Sequence, residues 1–195
     1  MSSKQRHAPS LILEHISRSR SDKPVVVLGI DEVGLGAIAG PIVAAAVAFQ
    51  DDVLLLPTEV RDSKILKYER REALVGPIEA AAIVIGVGYA LPAEVDKFGT
   101  SRAHDMAIIR AFREAKKKYT GGKRLVCVVD GRNLHNRLRD YLGKEAAVFA
   151  DRADQKSYSV AAASIIAKVT RDEIMQQCAK VFPGYNLEKN VAHFF

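Results

Sequence analysis

Apolar residues along the 195-residue chain fall into short unbroken runs, separated by longer stretches with helical spacing. The first run, residues 25–30, is rich in valine and bounded by Pro24 and a cluster of glycines, which predicts a buried strand. Further strands are predicted over residues 41–49, over the run AAIVIGVGYA, over RLVCVVD and over a short AAVFA run. Between them, the charges and leucines of a polar segment that includes RDSKILKYERREAL predict a loop followed by a helix over about residues 67–80. Residues 100–119 predict an amphipathic helix, with Met106, Ile109 and Phe112 on one face. Its lysines gather near the C-terminus, where the helix dipole favours them. A long helix over residues 157–182 is stopped by PGY. Helices alternate with strands, but the first two strands follow each other directly. That order predicts an α/β sheet that begins with an antiparallel hairpin.

Composition changes this picture little. The chain is 48% hydrophobic and 27% charged, ordinary for one globular domain with a real core. Its net charge of +6 points toward a polyanionic partner as much as toward solubility. Cys127 lies in an apolar run and Cys178 on a predicted helix, a usage that fits core packing in a reducing, cytoplasmic compartment. Residues 1–23 are basic and serine-rich. They read as a flexible arm able to touch phosphate, with organellar targeting as the other reading, and the domain is expected to span residues 24–195. The apolar run around residues 80–91 is too short and too glycine-rich to cross a membrane.

The chemistry lies in the acids. Three predicted strands end in carboxylates: Asp31 and Glu32 after the first, Asp130 after RLVCVV, and Asp151 or Asp154 after AAVFA. In α/β sheets functional groups collect at strand ends. A lone Asp after a strand is usually a turn or cap residue, but two adjacent acids rarely serve one cap. If these strands are neighbours, four carboxylates converge. Two like charges about 4 Å apart repel by about 4 kcal/mol at an effective dielectric near 20. Such a cluster needs protonation or divalent cations. With all-oxygen ligands, Mg²⁺ or Mn²⁺ is the natural choice, and a pair of such ions serves phosphodiester hydrolysis.

GLGAIA, residues 34–39, also fits a permissive dinucleotide fingerprint. That fingerprint needs a helix to begin inside the glycines. Here Gly40, Pro41 and a strand-like run follow, so the glycines read as a turn whose bare backbone can approach a ligand.

The segments GIDEVGLGAIAGPIVAAAV, DSKILKYERREAL, VVDGRN, DQKSYSVAAASIIAKVTRD and FPGY together resemble the ribonuclease HII (type 2 ribonuclease H) family, in the family's order. The resemblance implies a ribonuclease H-like fold, a central mixed sheet flanked by helices. It implies endonucleolytic cleavage of the RNA strand of RNA–DNA hybrids and at ribonucleotides embedded in duplex DNA, by a protein expected to act as a monomer. The family's four acidic positions match Asp31, Glu32, Asp130 and Asp154, the last preferred over Asp151 because it precedes QKS and stands ten residues before Ser164. Substrate contacts are implied at Gly34, Leu35, Gly36, Ser63, Lys64, Lys156, Ser164 and His193.

Two departures stand out. The family's glycine-arginine-glycine loop reads Gly34–Leu35–Gly36 here, and leucine cannot donate to phosphate, which removes a charge-assisted contact worth roughly 1.5–3 kcal/mol. The family's later glycine–tyrosine pair falls at Ala192–His193, and its further C-terminal helical segment is expected to be short or absent. The expectation is a metal-dependent ribonuclease with weakened reading of single embedded ribonucleotides. The competing expectation is a catalytically impaired duplex-binding protein that keeps the fold.

Overall fold

The computed structural model describes residues 9–50, 60, 66–131, 136–143 and 147–190. In chain order the elements are α1 (Ile12–Ser19), β1 (Val25–Val33), β2 (Ile42–Phe49), α2 (Tyr68–Ala81), β3 (Ala82–Ala90), α3 (Pro92–Phe98), α4 (Thr100–Lys118), β4 (Arg124–Asp130), α5 (Asn136–Gly143), β5 (Val148–Ala150) and α6 (Tyr158–Val181). One sheet carries all these strands in the order β3-β2-β1-β4-β5. β1 pairs antiparallel with β2 and parallel with β4; β3 is antiparallel to β2, and β5 parallel to β4. The sheet is therefore mixed and opens on an antiparallel hairpin, as the spacing of the first two apolar runs predicts. No helix among the described residues is long and apolar enough to cross a membrane.

Strand alternation sorts the core into two faces. Val26, Leu28 and Ile30 of β1 join Cys127 and Val129 of β4 beneath the alanines of α4. Ala45, Val47 and Phe49 of β2 pack on the opposite face against α6 and against Leu74 and Ile78 of α2. One very close seat is where α6 meets β1. A Cβ added at Gly29 would lie 2.2 Å from both Ser159 C and Val160 N, so the strand and the helix backbone touch directly.

The structure redraws several expected boundaries. β1 continues through Asp31 and Glu32 to Val33, so the acid pair lies inside the strand, opposite Ala45 and Ala44 of β2. The buried stripe of α4 is Ala103, Ala107, Ala111 and Ala115 with Ile108 and Phe112, whereas Met106 and Ile109 are only half-buried. Small residues let a helix lie close to a sheet, so side-chain size misidentifies the inward face. Within the arm expected to be flexible, residues 12–19 are helical. Leu13 packs there with Val27, Val128, Ala153 and Val160. The sequence concealed this helix because its other buried residues, Glu14 and Ser17, are polar. α3 was also not foreseen. Arg110 of α4 ties it down with bonds of 2.7 Å to each Glu94 oxygen and one of 2.6 Å to Tyr89 O.

Gly29→Ala is expected to destabilise at or above the top of the ~1–3 kcal/mol range of overpacking substitutions, because neither neighbouring atom belongs to a movable side chain. Urea unfolding measures it. Hydrogen bonds from Arg110 and then from Leu91 N–H lower the Glu94 carboxyl to about 2. Its contribution is present above the ordinary carboxylate range near 4.5 and fades as pH falls through about 2. For so exposed a pair it amounts to less than ~1 kcal/mol. The stability gap between the parent and Glu94→Gln is expected to close across that acid window.

Candidate active site

Three elements meet where β1 and β4 end. The parallel register sets Ile30 against Val129, so Asp130 follows beside Asp31. After β5 the chain turns through Arg152, in the left-handed conformation at φ 53°, into a single 3-10 turn, Ala153–Gln155, that carries Asp154. The Ala153 amide donates to Asp130 Oδ1 at 2.6 Å and so fastens this turn to β4.

Alternation sends the adjacent acids of β1 in opposite directions. Asp31 faces α6, where it is buried and hydrogen-bonded to Ser164, and its Oδ1 accepts the Glu32 amide at 2.8 Å. Glu32 faces α4. There His104 Nε2 lies 3.4 Å from Glu32 Oε2, and His104 Nδ1 lies 3.7 Å from Asp105 Oδ1, ion-pair contacts longer than well-formed hydrogen bonds. Burial pushes the imidazole down, but Asp105 and Glu32 outweigh it and hold it up at about 9. An imidazolium thus stands against Glu32 at neutral pH.

The electrostatics centre on Asp31. Its carboxyl is pushed well above the ordinary carboxylate range, first by burial, then by the charges of Glu32 and Asp130. Asp154 adds to this, and the bond from Ser164 opposes it. All four predicted acids therefore act on one small volume. Among the described residues no three His, Cys, Asp or Glu side chains are already closed on a common point, so the carboxylates are coupled but more widely spaced than in a closed metal site. The donor set nonetheless fits a hard divalent cation. It consists of oxygens only, and Glu32 Oε2 is buried without an aligned hydrogen bond. A cation would also relieve the repulsion that, together with burial, raises the Asp31 carboxyl.

The loop after β1 is fixed from behind. Arg171 of α6 is fully buried and, among the described residues, donates only to backbone: Nε to Pro41 O at 3.0 Å, Nη2 to Ala39 O at 2.9 Å and Nη1 to Asn190 O at 3.0 Å. Gly34, at φ +100°, lies so close that a Cβ would stand 2.7 Å from Arg171 Nε. Leu35 is half-buried and packs on the α4-side core, whereas Gly36 and Ile38 are exposed. No helix begins in this loop, which excludes the dinucleotide reading. Lys156 is half-buried and donates to Asp151 O at 2.7 Å, so its ammonium braces the turn before Asp154. Ser164 is buried against Asp31 rather than displayed to solvent. Ser63, Lys64 and His193 lie outside the described residues. The sequence reading missed His104 and Arg171. The only signal was polarity: a histidine inside an alanine stripe, and an arginine just past the buried half of α6.

Comparisons agree with the fold. A family model described as Ribonuclease HII matches residues 28–192. A ribonuclease HII of Fusobacterium nucleatum is 40% identical over 164 residues, 84% of this chain and 73% of its own length. That of Thermosynechococcus vestitus is 40% identical over 167 residues, covering 86% and 72%. Among solved structures, the ribonuclease HII in a PCNA complex from Archaeoglobus fulgidus superposes with a TM-score of 0.68 at 29% identity, over 87% of this chain and 83% of that one. Bst-RNase HIII in complex with Mn²⁺ shares the fold, with a TM-score of 0.64 at 21% identity over 85% of this chain and 57% of that one.

Arg171→Leu is expected to cost at least ~2–3 kcal/mol, because it strands three carbonyl oxygens at ~1–3 kcal/mol for each that stays unsatisfied. Arg171→Lys is expected to recover only part of this, since one ammonium cannot span the fork. Denaturant unfolding of both variants measures the loss.

Proposed function

The chain belongs to the ribonuclease HII family, and from that premise we propose that it is a divalent-cation-dependent endonuclease that cuts the RNA strand of RNA–DNA hybrids and reads single embedded ribonucleotides weakly. The observation that carries this reading is the convergence of Asp31, Glu32, Asp130 and Asp154, written in the displaced ionisation of Asp31. These residues would hold Mg²⁺ or Mn²⁺, which when bound supplies an activated water and a stabilised leaving oxygen. Around it the chain's own groups set orientation. Ser164 fixes Asp31, the Ala153 amide fixes Asp130, and His104 stands against Glu32. In the hydrolysis the water oxygen joins phosphorus and the bond to the 3′-oxygen breaks. That oxygen takes a proton, leaving a 3′-hydroxyl and a 5′-phosphate.

The weakened junction reading rests on Leu35. Its side chain lies against the core instead of reaching toward a duplex. The backbone of Gly34 and Gly36 remains available to approach a ribose hydroxyl, but no cation extends from between them to grip phosphate. The same observation favours a second reading, a duplex-binding protein with impaired catalysis.

Two duplexes, one a long hybrid and one carrying a single ribonucleotide, incubated with Mg²⁺ or Mn²⁺ separate the possibilities. The parent is expected to cut the hybrid and to incise the single site poorly. Asp130→Asn is expected to bind both duplexes and cut neither. Leu35→Arg is expected to raise single-site incision about tenfold or more, the return of a charge-assisted contact of ~1.5–3 kcal/mol. Efficient incision by the parent at the single ribonucleotide alone overturns the weakened-reading idea. Binding without cleavage under either ion establishes the second reading.

A further inference from the structure

One buried carboxylate has no part in the chemistry above. Glu14 of α1 is 3% exposed, and its Oε1 accepts the Ser157 hydroxyl at 2.6 Å and the Ser159 amide at 3.1 Å. Ser157 in turn caps α6 by accepting the Val160 amide at 3.2 Å. The backbone of the same arm grips the preceding turn: Ser10 N–H donates to Gln155 O and Leu13 N–H to Lys156 O, each at 3.2 Å. Leu13 closes over Ala153 and Val160. These contacts bracket Asp154 on both sides in sequence.

The bracketing matters because the turn holding Asp154 has little stability of its own. Three residues of 3-10 helix are too few to persist unsupported, and this turn is entered through a left-handed arginine. Its attachments include Ala153 N–H on Asp130, Lys156 on Asp151 O, the start of α6, and α1. Glu14 reaches α6 from a separate helix, and its Oε2 is buried with no hydrogen-bond partner among the described residues. A local serine cap would fix α6 without burying that oxygen, and Ser157 already does so. Glu14 adds a tie between the arm and the turn.

We propose that α1 is an intramolecular strap and that Glu14 is a positioning residue, holding the Asp154 turn in place for cation binding. The inference rests on the metal reading above only for what the positioned carboxylate binds. The full-length chain is tested as the parent, Glu14→Ala and Glu14→Gln. Mn²⁺ binding to the protein alone is measured by calorimetry, hydrogen exchange is followed over residues 153–157, and kcat and KM are measured on the hybrid. Glu14→Ala is expected to weaken Mn²⁺ binding about tenfold, the lower end for loss of a group that orients a ligand. It should speed exchange at residues 153–157 while leaving α4 unchanged, and lower kcat at limiting Mn²⁺ with KM for the duplex unchanged. Glu14→Gln keeps an acceptor oxygen and is expected to stay within about twofold of the parent on each readout. Ser10→Pro removes the amide given to Gln155 O while leaving Glu14 in place, and serves if Glu14→Ala does not fold. It is expected to speed exchange over the same residues, and parental exchange in it overturns the strap. A folded Glu14→Ala with parental exchange and parental Mn²⁺ affinity also overturns it. Faster exchange in a protein whose parent binds no Mn²⁺ supports the strap and overturns the metal reading instead.

Discussion

The site depends on the direct contact between the backbone of β1 and the first turn of α6 at Gly29. From Gly29 to Asp31 the strand advances ~6.6 Å, and from Val160 to Ser164 the helix advances ~6 Å. Because the two rises nearly match, the Ser164 hydroxyl lands on Asp31, the carboxylate of β1 that faces α6. Any side chain at residue 29 would lift the helix away, and with it the turn before the helix, where Asp154 sits.

Strand geometry then divides the electrostatic problem. Adjacent acids on β1 point to opposite faces, so each meets a different neighbour: a hydroxyl for Asp31 and an imidazolium for Glu32. A backbone amide serves Asp130. These partners reduce the repulsion without abolishing it: after burial, the charges of Glu32 and Asp130 still raise the Asp31 carboxyl. A fold that keeps such residual repulsion in its interior gives up stability there, and a cation is the physical means of recovering it.

The loop that follows is held as firmly as the carboxylates. A charged guanidinium buried among carbonyl oxygens, with no hydrogen bond to a carboxylate, is costly, and its return is geometric: it sets the glycine loop and the chain near Asn190 relative to α6. Leu35 belongs to this frame. Its contact with the core strengthens the loop's seat and removes a group from the surface the loop presents.

The strands, the opening hairpin, the long final helix and the four acids were all legible in the chain. Runs of β-branched and small apolar residues and the spacing of charges follow from local geometry, and the ribonuclease HII resemblance rests on contiguous motifs. The inward face of α4, the helix in the N-terminal arm and the roles of Glu14, His104 and Arg171 were not legible. Each is a polar or small residue whose partner lies far along the chain: Glu14 with Ser157, His104 with Glu32, Arg171 with Ala39 and Pro41. Sequence by itself determined which carboxylates exist and near the end of which strand each falls, because periodicity is a property of the backbone. Only the tertiary structure decided how each is neutralised and held, because a buried charge takes whatever partner packing brings within reach.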